Sequence, residues 1–244
     1  MLKAETLTVT YGSHTALGGL DLDIAEGEIY ALLGPNGAGK TTTINAFLGF
    51  VDLAGGRTSV AGINVQENPV AARRALAYIP EQVNLYGWFS GLENLDYFAR
   101  LGGQSYDHDV LKRFLTQAGL QEEAFGRKVV GYSKGMRQKV GIAIALAKQA
   151  KALLLDEPTS GLDPAASYEF SESLKRVSGQ GVAVLMATHD LFRALDIADR
   201  IGIMHSGILQ DERAAKELSA RELESLYLSV ARGRVHQASS GMKI

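Results

Sequence analysis

Apolar and polar positions alternate in two segments near the start of the chain. Leu7 and Val9 alternate with threonines, and residues 20–24 alternate leucine or isoleucine with aspartate. A period of two is typical of a strand with one buried face. Residues 29–33 are instead an unbroken apolar run of strand length, which indicates a strand buried on both faces. The N-terminal region therefore predicts an antiparallel β layer beside a parallel core.

The rest of the chain continues this core with strands and helices in alternation. Short apolar runs that predict buried strands lie at residues 76–79, 152–155, 182–187 and 201–204. Helical spacing separates them, and Ser206-Gly207 turns the last strand into a hairpin with residues 208–210. This order predicts an α/β fold with a mostly parallel sheet.

One long segment has helical spacing without any strand. It includes a capping box at Ser90-Gly91-Leu92-Glu93 and a helical pattern at residues 107–118. Another helix is predicted to begin at Ser133. We therefore expect an inserted α-helical subdomain over about residues 86–149.

The expected folded domain spans residues 1–212 and contains that helical subdomain. From Arg213 onward the pattern becomes helical and charged. Beyond Arg232 the periodicity is lost, which is typical of a disordered terminus. We therefore expect residues 213–244 to form a helical extension with a disordered tail.

The composition is that of an ordinary globular chain. Of the 244 residues, 46% are hydrophobic and 21% charged, enough for a sizeable core. A net charge of −2 indicates no surface for nucleic acid, so no nucleic-acid partner is expected. The lack of cysteine excludes disulfides and thiolate metal sites and fits an intracellular location. No apolar stretch approaches the ~18 residues of a membrane span, and the N-terminus lacks the apolar segment of a signal peptide.

The candidate chemistry starts with a glycine-rich turn after the buried strand at 29–33. The pattern of a P-loop is matched by Gly34-Pro35-Asn36-Gly37-Ala38-Gly39-Lys40-Thr41, and a helical pattern follows. The glycines let backbone N–H groups turn inward, where a helix N-terminus favours an anion. Lys40 adds a charge for the β- and γ-phosphates of a nucleotide, and Thr41 offers a hydroxyl to Mg²⁺. The expected nucleotide contacts are Gly34, Asn36, Gly37, Ala38, Gly39, Lys40, Thr41 and Thr42.

Two adjacent carboxylates follow the apolar strand at residues 152–155. Asp156 and Glu157 lie at its C-terminal end, where ligands bind in open parallel sheets. Since neighbouring side chains of a strand point to opposite faces, Asp156 can serve Mg²⁺ while Glu157 faces the attacking water. The alternative is a strand that ends in a solvated acidic turn. It is less favoured here, because a P-loop precedes this strand in the chain.

A third motif lies between the first two. Tyr132-Ser133-Lys134-Gly135-Met136 places a capping serine and a glycine at a helix start, which is a second potential anion site. Alone it is only a good helix N-terminus, but Ser160-Gly161-Leu162-Asp163 and Thr188-His189-Asp190 follow it. With the P-loop and the acidic pair, this order of motifs resembles the nucleotide-binding subunit of ABC transporters over about residues 2–210.

The resemblance implies an ATP sandwich and a role for single residues. Two subunits would meet head to tail, with each ATP between one P-loop and the other subunit's Ser133 and Gly135. Glu157 matches the general base and His189 the switch histidine, so these are the expected catalytic residues. Further matches are the Mg²⁺ ligands Thr41 and Asp156, a loop that reports across the dimer at Asp163, and an adenine-stacking aromatic at Tyr11. For Tyr11, packing on the core is an equal alternative, because one aromatic carries little information.

The chain departs from the family pattern at two motifs. In place of the usual signature Leu-Ser-Gly-Gly-Gln, residues 132–136 include Lys134, which adds a cation, and Met136, which removes an amide. The usual Q-loop glutamine, a further Mg²⁺ contact, falls at Glu81 or at Gln82, and the sequence leaves both open. The family's C-terminal regulatory domain is also missing, so no fused ligand sensor is expected.

Signatures like that of residues 132–136 resemble those of ABC-2 type exporters, whose permeases are separate membrane proteins. The resemblance implies that hydrolysis of ATP with Mg²⁺ powers export, and that the partners are a permease and a second copy of the subunit. It also implies a peripheral location at the cytoplasmic face of the cell membrane. Permease contacts are expected at Tyr86, Trp88 and Phe89, because several aromatics on one surface connector favour an interaction site over core packing.

Two other classes compete with this interpretation. A soluble ABC ATPase that acts on ribosomes or DNA would carry a second P-loop or a long coiled coil, and the sequence contains neither. A small-molecule kinase with a P-loop would need neither the signature serine nor His189. The substrate, the permease and the choice between homodimer and heterodimer stay open. The homodimer is favoured because every catalytic position is present in this chain.

Overall fold

The structure, a computed structural model, describes residues 1–231. Within this range the chain forms ten strands and nine α-helices, which are joined by loops. In chain order the strands are β1 (Leu2–Tyr11), β2 (His14–Ile24), β3 (Ile29–Leu33), β4 (Gly55–Val60), β5 (Ile63–Asn64), β6 (Leu76–Ile79), β7 (Ala152–Asp156), β8 (Ala183–Thr188), β9 (Arg200–His205) and β10 (Ile208–Ala214). The helices are α1 (Lys40–Leu48), α2 (Pro69–Ala75), α3 (Gly91–Leu101), α4 (His108–Gln117), α5 (Glu122–Phe125), α6 (Lys134–Ala147), α7 (Pro164–Ser178), α8 (Leu191–Ile197) and α9 (Ala220–Ala231).

The strands form two sheets. The first is antiparallel, with the order β2-β1-β4-β5 and with Leu2 opposite both Ile24 and Val60. The second has the order β10-β9-β3-β8-β7-β6, and its neighbours are parallel except in the β9–β10 hairpin. The predicted α/β fold, with an antiparallel layer near the N-terminus and a mostly parallel core, is confirmed.

The central strands are buried on both faces, which explains their unbroken apolar runs. Every residue of β3 and of β8 is buried. One face of the parallel sheet contributes Tyr30 and Leu32 to a core shared with the antiparallel layer and Phe47 of α1. The other face contributes Leu33 to a second core with the helices. This double packing fixes the end of β3, from which the P-loop leaves the sheet.

Four helices, α3 to α6, occupy the chain between β6 and β7. Ser90 begins α3 with both bonds of the predicted capping box: Glu93 N–H donates to Ser90 Oγ at 3.1 Å, and Ser90 N–H donates to Glu93 Oε2 at 2.7 Å. α6 packs against α3 and α4 on one side and against β6 and α7 on the other. It therefore connects the helical segment to the core. The limits 86–149 and 1–212 remain predictions.

The C-terminal region differs from the expected helical pattern. β10 continues to Ala214, and α9 begins only at Ala220. The helix expected from Arg213 is therefore wrong for its first residues. Arg213 pairs with Ile201 at the edge of the sheet, where charged residues are tolerated on a strand. The disordered tail expected beyond Arg232 lies outside the described residues. From residue 1 to residue 231, none of the helices is both long and apolar enough to cross a membrane.

Candidate nucleotide site

The loop between β3 and α1 turns tightly around the start of the helix. Gly37 and Gly39 have φ angles of 81° and 107°, a region that favours glycine. A Cβ on Gly34 would lie 2.6 Å from the carbonyl oxygen of Met204 on β9, so the loop can approach that strand only without a side chain. The N-cap of α1 is Gly39, which has no side chain to accept from the first N–H groups of the helix. Those groups can therefore face an anion.

Lys40 is buried and folds back over this loop. Its Nζ donates to the Gly34 carbonyl oxygen at 2.6 Å and lies 3.7 Å from Glu157 Oε1. A buried ammonium is unfavourable unless polar or charged groups surround it, and these two oxygens supply that environment. The ammonium thus lies between the phosphate loop and the acidic pair.

Thr41 and Asp156 face each other beside this lysine. Thr41 Oγ1 donates to Asp156 Oδ2 at 2.9 Å. Burial raises the pKa of the Asp156 carboxyl above its usual value, and the Thr41 hydrogen bond partly offsets that effect. Hydroxyl and carboxylate oxygens are ligands that Mg²⁺ prefers. Among the described residues, no cluster of three or more His, Asp or Glu side chains could hold a metal alone. A divalent ion at Thr41 and Asp156 would therefore take its remaining oxygen ligands from a nucleotide or from water.

Glu157 follows β7 in a left-handed backbone conformation with φ 46°. That conformation is strained for a residue with a Cβ, and strain of this kind is often found at functional sites. The Glu157 N–H donates to the Ala187 carbonyl oxygen of β8 at 2.9 Å, which holds the turn in place. Because the turn breaks the alternation of the strand, Asp156 and Glu157 line the same cleft. The expectation that they point to opposite faces is wrong for this reason.

The Glu157 carboxylate also contacts the end of β8. Its Oε2 lies 2.8 Å from His189 Nδ1 and accepts from Thr188 Oγ1 at 3.2 Å. Its Oε1 is buried and accepts no hydrogen bond from residues 1–231, although Lys40 Nζ is close. In this arrangement Oε1 is closed to solvent and faces the Lys40 ammonium, so its acceptor capacity is unused within the described chain. The structure thus brings the two expected catalytic residues together beside Lys40.

Lys40, Thr41, Asp156 and Glu157 line one cleft of about 510 Å³. The expected site residues Gly34 and His189 are not part of its lining, and His189 lies next to the cleft through its contact with Glu157. Tyr11 at the end of β1 and Glu81 after β6 complete its wall, whereas Gln82 is not part of the lining within the described chain. Tyr11 is 52% exposed, so the alternative that it packs on the core is wrong. The P-loop residues from Asn36 to Thr42 all face this cleft. They provide the Lys40 ammonium and the N–H groups at the start of α1, which suit a polyphosphate.

The signature residues lie outside the cleft. Ser133 is exposed and caps α6, because its Oγ accepts from Met136 N–H at 3.2 Å. Gly135 is buried against α7, where an added Cβ would lie 3.4 Å from Ala166 Cβ. Asp163 caps α7 and accepts from Ala166 N–H at 2.8 Å. A single copy of the chain therefore does not bring these three residues to Lys40.

The aromatic connector, residues 86–89, is also separate from the cleft. Tyr86, Trp88 and Phe89 are 49%, 77% and 39% exposed, which is incompatible with core packing. The Tyr86 ring lies 5.4 Å from that of Phe89, and Lys128 Nζ lies 5.3 Å from the Trp88 ring. The connector is a surface cluster of aromatic rings.

Two contacts of the site were missed from the sequence. His14, which belongs to none of the motifs above, lines the cleft beside Tyr11. The pair Gly12-Ser13 offered a signal in the sequence, because residues that flank a two-residue hairpin turn pair with each other, and Tyr11 does pair with His14. The contact from Thr188 to Glu157 depends on the order of β7 and β8 in the sheet, which no local pattern reveals.

Comparison with known proteins agrees with this geometry. A family model described as ABC transporter matches residues 17–160, which is more than half of the chain. The chain belongs to the ABC transporter family. This ABC ATPase is 38% identical over 213 residues to the uncharacterized ABC transporter ATP-binding protein YdbJ of Bacillus subtilis, covering 87% of this chain and 68% of that protein. It is 35% identical over 237 residues to the bacitracin transport ATP-binding protein BcrA of Enterococcus faecalis, covering 96% and 76% of the two chains.

Solved structures of the same family share the fold of this ABC ATPase. An ATP-binding subunit of an ABC transporter is 29% identical and superposes with a TM-score of 0.80, covering 93% of this chain and 99% of that one. A dimeric ATP-binding cassette in a post-hydrolysis state, bound to ADP and Pi, is 27% identical with a TM-score of 0.77, covering 88% and 99%. The chain is thus an ATP-binding subunit of the ABC type with ATPase activity.

Proposed function

We propose that this ABC ATPase powers an exporter of the ABC-2 type. In this proposal it binds a separate membrane permease and is held by that permease at the cytoplasmic face of the membrane. Two copies close head to tail, and each ATP lies between the P-loop of one copy and Ser133 and Gly135 of the other. One observation carries the proposal: Ser133 is exposed and lies outside the cleft that holds Lys40. This position supports an arrangement in which the signature meets ATP bound to a second copy.

Within each site, different residues of the chain bind the phosphates and promote hydrolysis. Lys40 and the N–H groups of the P-loop bind the phosphates. Glu157 accepts the proton of the attacking water, while His189 and Thr188 contact its Oε2 and so orient the carboxylate. Mg²⁺ held by Thr41 and Asp156 would neutralise charge on the phosphate oxygens. Asp163, which follows the acidic pair on the same connector, would report nucleotide state across the dimer.

The cleft wall supports two finer assignments. Glu81 lines the cleft and therefore takes the Q-loop position in preference to Gln82. Tyr11 is an exposed residue of the cleft lining, and its ring is available to stack on the adenine. Both assignments follow from the positions of these side chains relative to the P-loop.

The permease site is proposed at the aromatic connector and the groove beside it. That groove has a volume of about 320 Å³. Its apolar lining includes Ile79, Val83, Leu85, Phe98 and Ile144. A short helix laid in an apolar groove is a recurring recognition mode, and aromatic side chains are frequent anchors.

The names of relatives support export as the direction of transport. BcrA of Enterococcus faecalis is named for bacitracin transport. DrrA2 of Streptomyces coeruleorubidus, 37% identical over 213 residues, is a daunorubicin resistance ATP-binding protein, and the match covers 84% of this chain and 64% of that protein. Resistance to a toxic compound fits removal of that compound from the cell. The substrate of this chain is not proposed.

Trp88→Ala tests the permease site. We expect the variant to lose assembly with the permease in pull-downs from detergent-solubilised membranes and to keep the ATPase activity of the isolated subunit. The reason is that Trp88 is exposed and does not line the ATP cleft. Phe50→Ala is the matched control, because Phe50 is also an exposed ring, 65% accessible, with a cation, Arg73, 5.9 Å from its centroid. Equal assembly of the two variants would contradict the proposed permease site.

A further inference from the structure

A polar network links the nucleotide cleft to the start of α6. Lys134 is the first residue of α6, and its Nζ donates to the Ser160 carbonyl oxygen at 2.5 Å. The same Nζ lies 3.6 Å from Glu81 Oε1, to which Ser160 Oγ donates at 3.0 Å. One carboxylate oxygen of a residue in the cleft wall therefore contacts both the signature helix and the segment that follows Glu157.

The position of Lys134 is unfavourable for the helix itself. The N-terminus of a helix carries partial positive charge, so a cation in the first turn is repelled. The Lys134 side chain is only 28% exposed and turns toward Glu81 and Ser160. These contacts offset the repulsion, and they also fix where the Glu81 carboxylate points.

The negative charge of Glu81 lies in an unfavourable place. Its carboxylate lines a cleft built for a polyphosphate, where Asp156 and Glu157 are already negative. A further uncompensated charge would repel the nucleotide. Among residues 1–231, the cation within ion-pair distance of Glu81 is Lys134.

We propose that Lys134 is a positioning residue for ATP binding within its own chain. It holds Glu81 against α6 and Ser160 and reduces the repulsion between Glu81 and the phosphates. The inference rests on the proposed role of Glu81 beside the nucleotide. It differs from the usual expectation for a signature residue, which is contact with ATP bound to the other copy.

The test is a double-mutant cycle on the affinity for ATP. Calorimetry on the full-length monomer, in EDTA and low salt, should show ATP bound about two- to fivefold more weakly by Lys134→Ala, the range expected for a partly exposed ion pair. In the Glu81→Gln background, the same substitution should have no further effect. Lys134→Arg should keep most of the affinity. High salt should reduce the loss of ATP affinity in Lys134→Ala, because it screens the charges of Glu81 and of the nucleotide.

Lys139→Ala is the matched control. Lys139 lies on the same helix and pairs with Glu169 at 2.6 Å, and neither residue lines the cleft. Its removal changes the net charge equally but should leave ATP affinity near that of the wild type. Thermal unfolding of each variant shows whether any loss of affinity follows from a loss of folding.

Three results would overturn the inference. The first is an equal loss of affinity in Lys139→Ala. The second is an equal effect of Lys134→Ala with and without Glu81→Gln. The third is normal affinity in the monomer with a defect only in the ATP-bound dimer, since Lys134 would then act on the other copy's ATP. Each of these results leaves the proposed export function standing, which Trp88→Ala tests separately.

Discussion

The N-termini of α1 and α6 both suit an anion, but they are built differently. We call them the α1 start and the α6 start. The N-cap of α1 is Gly39 with φ 107°, and the buried Lys40 is the first residue of the helix. The N-cap of α6 is Ser133, whose hydroxyl accepts from Met136 N–H, and the first residue, Lys134, is turned toward Glu81. The first start presents free donors and a charge, whereas the second already satisfies part of its own hydrogen bonding.

This difference indicates how the two starts divide nucleotide binding. The α1 start, with a lysine and a glycine loop, can bind a polyphosphate in a single copy. In the proposed dimer, the α6 start would add to binding only when the other copy already holds the nucleotide. A monomer that binds ATP and a dimer that closes on it are what this asymmetry leads us to expect. The variants below test the two starts separately.

Glu157→Gln is expected to have the largest effect. The amide keeps the shape of the side chain but cannot accept the proton of water, so kcat should fall about 10²–10⁴-fold. ATP affinity should stay close to the wild-type value, because the P-loop is unchanged. Single-turnover hydrolysis and calorimetry measure the two quantities. A variant with wild-type turnover would remove Glu157 from the mechanism.

Lys40→Ala should weaken the α1 site itself. The variant loses the buried ammonium beside the P-loop, which we expect to bind the phosphates, and a hydrogen bond to a charged group of this kind typically corresponds to roughly tenfold or more in affinity. Equilibrium binding of a fluorescent ATP analogue to the monomer measures the change. Unchanged affinity would mean that the loop does not bind the nucleotide through Lys40.

Ser133→Ala separates the α6 start from the α1 start. The lost cap should destabilise the fold by about 1 kcal/mol, and monomer affinity for ATP should not change. In the Glu157→Gln background, ATP should no longer give a dimer by light scattering. Ser90→Ala is the control, since Ser90 caps α3 in the same way and does not line the cleft. Loss of the dimer in both variants would point to stability instead of nucleotide contact.

Glu81→Gln should have the smallest effect, a shift in the Mg²⁺ dependence of ATPase activity. An amide can contact the ion or its waters as a carboxylate can, but it removes a negative charge from the cleft wall. A titration with Mg²⁺ at fixed ATP detects the shift. An unchanged titration, combined with a strong effect of Gln82→Ala, would move the role to Gln82.

Most of the fold could be predicted from the sequence because the patterns are local. The unbroken run of β3, the capping box at Ser90 and the turn at Ser206-Gly207 each determine one element, and each appears in the structure. The hairpin strand expected at residues 208–210 continues to Ala214, and the expected helix is wrong at Arg213 and Ala214, because their pairing with β9 is a tertiary contact at a sheet edge. Local patterns do not contain that information.

The sequence allows the residues of the site to be predicted, but it does not allow their arrangement in space to be predicted. The motifs identified Lys40, Asp156 and Glu157, and the structure brings all three to one cleft. The left-handed turn at Glu157, which places both carboxylates on that cleft, contradicts the alternation expected for a strand. The contact of Lys134 with Glu81 depends on how α6 packs beside the core, and no spacing in the sequence reveals it.

Cross-linking between single cysteines tests the central claim, that ATP lies between the α1 start of one copy and the α6 start of the other. The chain has no cysteine, so Asn36→Cys in the P-loop and Arg137→Cys in the first turn of α6 provide unique thiols in the Glu157→Gln background. The two variants are mixed and treated with a short bifunctional thiol reagent, with and without ATP. The account predicts covalent dimers that contain one copy of each variant and form only with ATP. Dimers that form equally well from either variant alone, or without ATP, would contradict it.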